Sequence, residues 1–294
     1  MKKVTVLLST YNGEKFLDEQ LESLQAQTDV DLHVLVRDDG SKDATHDILR
    51  KWENKMNLSW YAAPNVGSTK SFMELLCKAP ESDYYAFCDQ DDIWLPEKLK
   101  VAVEKLDELP TKRKLYCSNL YLYIKEHKQG LMRPSAINFN KHSSLIRSIA
   151  TGCTCVFDSE LRELIINNMP SNIHMHDLWL FHTAMFLGTV YYDDNSYILY
   201  RQHGKNQIGA KRTFISKWKN RLKSIKTISK QHHREEEAKE MLRCWGNILS
   251  DEDKQIISYV AHYKKRFSNK LHLIFNKKYQ TLFWDKIRII FGVL

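Results

Sequence analysis

An α/β fold on a mainly parallel sheet with flanking helices is predicted by two regularities of the chain. Short apolar runs alternate with segments of helical periodicity through the first hundred residues, and each run ends in a polar turn rich in Gly, Asn or Asp. A third observation, a change of character after residue 210, predicts a helical basic extension in place of more sheet.

Val4-Thr-Val-Leu-Leu8 is a β-branched run closed by Ser9-Thr-Tyr-Asn-Gly13, after which Phe16, Leu17, Leu21 and Leu24 recur at helical spacing. The same order returns in His33-Val-Leu-Val-Arg37, the turn Asp39-Gly-Ser41 and a helix carrying Ile48, Leu49 and Trp52, with Ser41 or Asp43 as the expected cap. Leu58 to Ala62 reads as a third strand and Ser71 to Lys78 as its helix. Tyr84 to Cys88 is a fourth strand, followed by a helix that Pro96 opens and that runs through Leu109. The rhythm then loosens toward a mixed sheet. Leu115 to Ile124 and Cys153 to Phe157 read as strands, Leu161 to Ile166 and Leu178 to Leu187 as helices, and Tyr191 to Tyr200 as a strand interrupted by Asp-Asp-Asn.

With 43% hydrophobic and 27% charged residues among 294, disordered, collagen-like and low-complexity classes are excluded. Residues 1–210 hold 24 Lys and Arg against 28 Asp and Glu, net −4, whereas residues 211–294 hold 20 against 8, net +12. The chain is therefore expected to divide into a globular domain at 1–210 and a basic tail at 211–294. Residues 211–234 carry nine Lys or Arg and no acid, with Phe214, Trp218, Leu222, Ile225 and Ile228 at helical spacing, a basic amphipathic helix. Leu282-Phe-Trp284, Ile287 and Ile289-Ile-Phe291 are interrupted by Asp285, Lys286 and Arg288, which suits a bilayer surface and not its interior. Two readings of the tail stay open: docking on anionic lipid at the inner membrane surface, or packing on the first domain or on a second subunit as a homodimer. Neither a signal peptide nor an 18-residue apolar stretch is found, so the expected place is the cytoplasm, peripherally on the cytoplasmic face of the plasma membrane. The six cysteines lack C-x-x-C spacing and read as buried reduced thiols; Cys153 and Cys155, two apart on a strand, would share one face.

Ligands of an open α/β sheet collect beyond the carboxyl ends of its strands. Three such ends are polar here: Thr10-Tyr-Asn-Gly13, Asp38-Asp-Gly-Ser41 and Asp89-Gln-Asp-Asp92. The last puts three carboxylates into four positions, a crowding that raises carboxylate pKa values until a divalent cation relieves it. Oxygen ligands in this pattern suit Mg²⁺ or Mn²⁺, which would also grip diphosphate oxygens. Asp92 also reads as a helix cap, whereas Asp89 and Asp91 lie too early for that.

Thr10-Tyr-Asn-Gly13, Asp39-Gly-Ser-x-Asp43, Asn65-x-Gly67 and Asp89-Gln-Asp-Asp-x-Trp-x-Pro96, in this order on these strand ends, resemble the family-2 inverting glycosyltransferases of the GT-A fold, over roughly residues 3 to 208. The wording of these motifs, with Met175-His-Asp177 and Tyr200-Arg-Gln-His203, is most similar to the bacterial rhamnosyltransferase-type branch that builds cell-wall and capsular polysaccharides. The resemblance implies that Tyr11 stacks on the pyrimidine of a nucleotide-sugar donor, flanked by Thr10 and Asn12, and that Asp39 accepts a hydrogen bond from the base. It implies further that Asn65 and Gly67 let the backbone approach the donor, with Lys70 near the diphosphate. By the same resemblance Asp89, Asp91 and His203 hold the cation, Asp89 and Arg201 meet the donor phosphates, and Asp177 is the catalytic base. Gly152, His176 and Trp179 would shape the acceptor site.

The residues taken alone leave other readings open. Tyr11 is equally a surface aromatic, Asp39 a turn residue, Asp177 a helix cap, His203 a loop histidine, and Gly152 and Trp179 packing residues. The implied reaction moves a sugar, best L-rhamnose from dTDP-rhamnose and alternatively one from a UDP-sugar, to a lipid-linked or growing polysaccharide acceptor. Rival classes are a nucleic-acid-binding protein acting through the basic tail, which leaves the acidic loops unexplained, and a nucleotide-sugar hydrolase or nucleotidyltransferase. A dinucleotide oxidoreductase is disfavoured because no G-x-G-x-x-G follows the first strand.

Overall fold

The computed structural model describes residues 1–133, 138–202 and 233–294. The expected βα alternation is present: β1 (Lys2–Thr10), α1 (Leu17–Gln25), β2 (Val30–Asp38), α2 (Thr45–Glu53), β3 (Leu58–Ala62), α3 (Ser68–Lys78) and β4 (Tyr84–Cys88). β5 (Ile93–Trp94), α4 (Lys98–Glu108), β6 (Lys114–Ile124), β7 (His127–Leu131) and α5 (Lys141–Ser144) follow. After a 3₁₀ turn at Gly152–Thr154 come β8 (Val156–Asp158), α6 (Ser159–Asn167), α7 (His176–Leu187) and β9 (Thr189–Arg201). Among the described residues the nine strands form one sheet in the order β3-β2-β1-β4-β8-β6-β9-β5, with β7 off this path and paired to the Tyr121–Ile124 end of β6. The β3-β2-β1-β4 half is parallel; β8 is antiparallel to both β4 and β6, so the sheet is mixed in its second half.

Alternation along the strands explains why both faces are covered. Val4, Val6 and Leu8 of β1 pack with Leu17, Leu21 and Leu24 of α1, Leu49 and Trp52 of α2, and Leu99 and Leu106 of α4. Leu7 faces the other way, toward Phe72 and Leu76 of α3, Leu161 of α6 and Phe181 of α7. A parallel sheet buried on both faces needs such apolar runs, which is why these strands were legible as near-continuous hydrophobic segments.

Three local expectations are corrected. Neither Ser41 nor Asp43 is the N-cap of α2: Ala44 holds that position, and the Asp43 Oδ1 accepts the Thr45 amide at 3.1 Å. Cys153 to Cys155 are not strand. The Thr154 amide returns to the Thr151 carbonyl at 2.8 Å and that of Cys155 to Gly152 at 3.0 Å, so only Val156–Asp158 joins the sheet. Cys153 and Cys155 consequently lie in opposite cores. All six cysteines are free, and four are buried; Cys77 is exposed and Cys244 half-buried, because they sit at helix ends near the surface.

Beyond residue 232, α8 (His233–Trp245), α9 (Asp251–Ala261), α10 (Phe267–Phe275) and α11 (Phe283–Phe291) pack on the α7 side of the sheet. Trp245 lies against Trp179 with centroids 4.3 Å apart, and both are fully buried. His182 Nδ1 meets Glu237 at 2.7 Å, and Lys141 meets Asp253 at 2.8 Å. The apolar core of 233–294 is thus continuous with that of the first 202 residues. Trp245→Ala is expected to lower the unfolding free energy of the whole chain by about 3–5 kcal/mol, the cost of a large core cavity. Denaturant unfolding checks this: an unchanged midpoint for the strand signal would mean that the helices fold apart from the sheet. The amphipathic segment predicted at 211–234 lies largely outside the described residues, and no helix among the described residues is long and apolar enough to cross a membrane.

Candidate functional site

β1, β2 and β4 are adjacent and parallel, so their carboxyl ends deliver three polar loops to one edge of the sheet. The register places Thr10 beside Asp38 and Leu8 beside Cys88. Side chains then lock the loops together. Gln90 is the staple: its Oε1 accepts the Thr10 hydroxyl at 2.7 Å and the Tyr11 amide at 2.8 Å. A Cβ on Gly13 would stand 2.6 Å from Thr10 Oγ1 and 2.8 Å from Gln90 Oε1, so this contact requires a glycine. On the other side, the Asn12 amide donates to Ser41 Oγ at 2.8 Å and Asn12 Oδ1 accepts the Lys42 amide at 2.9 Å. Asn12 adopts φ 49°, which an Asn tolerates better than most residues.

The two neighbouring aspartates do different work. Asp38 is the turn residue, accepting the Gly40 and Ser41 amides and meeting His46 Nε2 at 2.8 Å. Asp39 instead points its buried carboxylate across to the loop after β3, accepting the Val66 amide at 2.8 Å and the Gly67 amide at 2.9 Å. Arg37, itself buried, meets Asp39 Oδ1 at 2.5 Å and Glu74 at 2.8 Å. The charge of Asp39 is therefore compensated from behind, and the Asn65 to Gly67 loop is hung on it. Tyr11, Asn65 and Lys70 stand exposed along the same edge.

The loop after β4 carries the crowded carboxylates. Burial, then the charges of Asp91 and Asp177, push Asp89 up to about 7. Burial, then Asp91 and Asp89, hold Asp92 well above the usual carboxylate range. Asp89, Asp92 and the Cys153 thiol offer three ligand atoms within 4.8 Å of one another. Such a set of destabilised carboxylates fits a divalent cation, which would relieve the repulsion; the hard oxygens of Asp89 and Asp92 suit Mg²⁺ or Mn²⁺ better than the thiol does, and Asp91, expected as a ligand, adds its charge from outside this set. Arg201 braces this loop. Its amide donates to Asp92 Oδ1 at 3.0 Å, its Nε to the Asp91 carbonyl at 2.9 Å, and its Nη2 pairs with Glu19, between the rings of Phe16 and Tyr123. The expected phosphate-neutralising arginine is thus committed to holding the acidic loop.

Asp177 lies in the first turn of α7, not at its cap, which is Met175. Its Oδ2 accepts the Gly152 amide at 3.1 Å and its Oδ1 the Leu178 amide at 2.8 Å. A Cβ on Gly152 would come within 3.2 Å of His176 Nε2, so the small residue allows this approach. His176 is wedged between Phe72, 4.0 Å away and stacked, and Phe87, 4.8 Å away and edge-on. Burial drops it to about 4, so the ring is a neutral wedge at ordinary pH. Trp179 is corrected: with no exposed surface and Trp245 on its ring, it is a core residue that no acceptor can touch. His203 lies outside the described residues.

The edge therefore gathers Thr10, Tyr11, Asn12, Asp39, Asn65, Asp89 and Asp91, with Asp177 near enough for its charge to reach Asp89. Sequence reasoning missed Gln90 and Arg37 as organisers, although both stand inside the quoted motifs. It also missed Arg234 of α8, which lies within electrostatic reach of Asp177 and whose signal was hidden in a stretch read as tail.

A family model described as glycosyl transferase family 2 matches residues 5–159. The dTDP-rhamnosyl transferase RfbG of Shigella flexneri is 32% identical over 225 residues, covering 72% of this chain and 77% of that protein. The uncharacterized glycosyltransferase RT0329 of Rickettsia typhi is 26% identical over 209 residues, which is 68% of this chain and 64% of that one, just under two thirds of its length. Among solved structures, S. aureus TarS 1-349 in complex with UDP-GlcNAc superposes with a TM-score of 0.62 at 19% identity, over 99% of this chain and 82% of that one. The mannosyltransferase PcManGT from Pyrobaculum calidifontis, in complex with GDP-Man and Mn²⁺, gives 0.59 at 16% identity, over 98% and 85%. These two likenesses concern the fold, which is the GT-A arrangement expected from the motifs.

Proposed function

Because the chain belongs to glycosyl transferase family 2 and acts with a nucleotide-sugar donor, we propose that it is an inverting rhamnosyltransferase that moves L-rhamnose from dTDP-rhamnose to a lipid-linked or growing polysaccharide in cell-wall or capsule synthesis. The observation that carries the catalytic part is electrostatic: Asp177 on α7 and Asp89 at the end of β4 are close enough for one charge to raise the other's pKa. One edge of the sheet thus holds a candidate base and a candidate diphosphate site. The choice of rhamnose is supported by the likeness to RfbG, which spans 72% of the chain.

In this reading Tyr11, with 47% of its surface exposed, offers its ring face to the pyrimidine, while Asp39, buried and bonded to Arg37 and to the Val66 and Gly67 amides, serves the donor by holding the loop after β3 and not by accepting the base N–H, as the resemblance implied. Asn65 and Gly67 line the path of the diphosphate; the positive φ of Gly67, 82°, opens the backbone at the start of α3. Asp89 and Asp92, with Asp91 beside them in the same loop, would hold Mg²⁺ or Mn²⁺, and such an ion would supply charge neutralisation on the departing diphosphate. Asp177 takes the acceptor hydroxyl proton as that oxygen forms its bond to the anomeric carbon and the bond from that carbon to the diphosphate oxygen breaks. Attack opposite the leaving group inverts the anomeric configuration. The Gly152 and Leu178 amides fix the carboxylate, and neutral His176 holds the start of α7 without adding a competing charge.

The test is a panel of dTDP-, UDP- and GDP-sugars with and without Mg²⁺ or Mn²⁺, scoring nucleoside diphosphate release and acceptor glycosylation. dTDP-rhamnose with a cation is expected to give the highest kcat/KM. Preference for a UDP-sugar would sink the rhamnose assignment, and release without any glycosylated product would favour a hydrolase.

A further inference from the structure

Seven of the twelve large apolar side chains left exposed among the described residues fall between Phe267 and Phe291. Phe267, Leu271 and Phe275 recur every four residues and form one stripe along α10; Phe283, Ile290 and Phe291 line α11. Lys270 Nζ on α10 donates to the Ile290 carbonyl on α11 at 2.8 Å, which sets the two helices side by side. Phe267, Phe275 and Phe291 are each about 70% exposed, at 73%, 73% and 69%, an arrangement that water penalises.

The charges around this face are of one sign. Residues 264–291 contain eight Lys or Arg and a single acid, Asp285. Asp285 is buried, accepts the Leu282 amide at 2.9 Å and faces Arg147 at 3.5 Å, and Lys264 is paired with the buried Glu235 of α8 at 3.1 Å, so within 264–291 the exposed charges are all cationic. An apolar stripe whose own helices carry an excess of cations is complementary to one kind of surface, hydrocarbon beneath anionic headgroups. We propose that the α10–α11 face docks this protein on an anionic membrane surface, with its phenylalanines in the acyl boundary and Lys277, Lys278 and Lys286 at the headgroups. The inference deepens the reading of a lipid-linked acceptor and moves the docking site from the predicted 211–234 helix to the last two helices. Arg234 of α8 is within electrostatic reach both of Asp177 and of Asp285 and Arg288 on α11.

Flotation of the full chain with vesicles of phosphatidylcholine, with and without phosphatidylglycerol, tests this. The wild type is expected to float only with phosphatidylglycerol and to be released by salt. The triple variant Phe267→Ser/Phe275→Ser/Phe291→Ser, which alters only exposed side chains, should bind more than about tenfold more weakly at unchanged Tm. It should keep transfer to a soluble acceptor. Equal binding by the triple variant, or no binding by the wild type, overturns the proposal. So does a switch from dimer to monomer with vesicle binding intact, because the face would then belong to a second copy. Failed sugar transfer with normal vesicle binding would count against the glycosyltransfer reading and leave the docking face standing.

Discussion

Asp177→Asn is expected to slow sugar transfer by about 10²–10⁴-fold, the usual contribution of a positioned general base. The substitution is nearly isosteric, and an amide oxygen can still accept one of the two amides, Gly152 or Leu178, that hold the carboxylate. Fold and donor affinity should therefore survive, so the loss falls in kcat. Asp177 sits in the first helical turn without capping the helix, so Tm should change little, unlike the loss of a true N-cap. Single-turnover transfer together with donor titration checks both halves. Turnover within a few-fold of wild type would assign the proton to another group.

The second large effect is expected from Asp91→Ala, which should reduce transfer by roughly 10²–10⁴-fold and abolish its response to Mg²⁺ or Mn²⁺. The same variant has a readout independent of activity. Burial first, then the charges of Asp91 and Asp177, raise Asp89 to about 7, against an ordinary value near 3.8. A carboxyl raised in the folded state contributes stability that is present below its ordinary pKa and is lost as pH rises through the folded value. The cation-free wild type should thus lose thermal stability between about pH 4 and pH 8, and Asp91→Ala should make that decline shallower by deleting one of the like charges. Added cation should restore the wild type at pH 8 and leave the variant unchanged. A wild-type Tm that is flat with pH and indifferent to cation would remove the case for a metal at this loop.

Much of this architecture is written locally. The runs ending at Leu8, Arg37, Ala62 and Cys88 lie within two residues of observed strand ends; for the central β1 and β4 this is because a strand buried on both faces must be apolar and must stop where polar residues begin, whereas β3 is a half-exposed edge strand marked by its β-forming residues and the turn after it. The family, too, is legible from short motifs, since loops at strand ends keep their chemistry within a few consecutive residues. Partnerships are another matter. Gln90 reaches Thr10 across 80 positions and Arg201 reaches Glu19 across 182, and no periodicity or composition encodes such pairs.

For the same reason the motif Asp38-Asp39 gives two carboxylates but not their directions; only the packing of the β3 loop beneath Arg37 sends Asp39 to Val66 and Gly67 while Asp38 folds back on its own turn. Trp179 looks the same in sequence whether it lines a cleft or fills a core, and Trp245, 66 positions later in the numbering, is what buries it. Strand, loop and helix follow from nearest neighbours. Which polar group answers which is fixed by distant segments arriving at one edge, and that is a property of the folded chain alone.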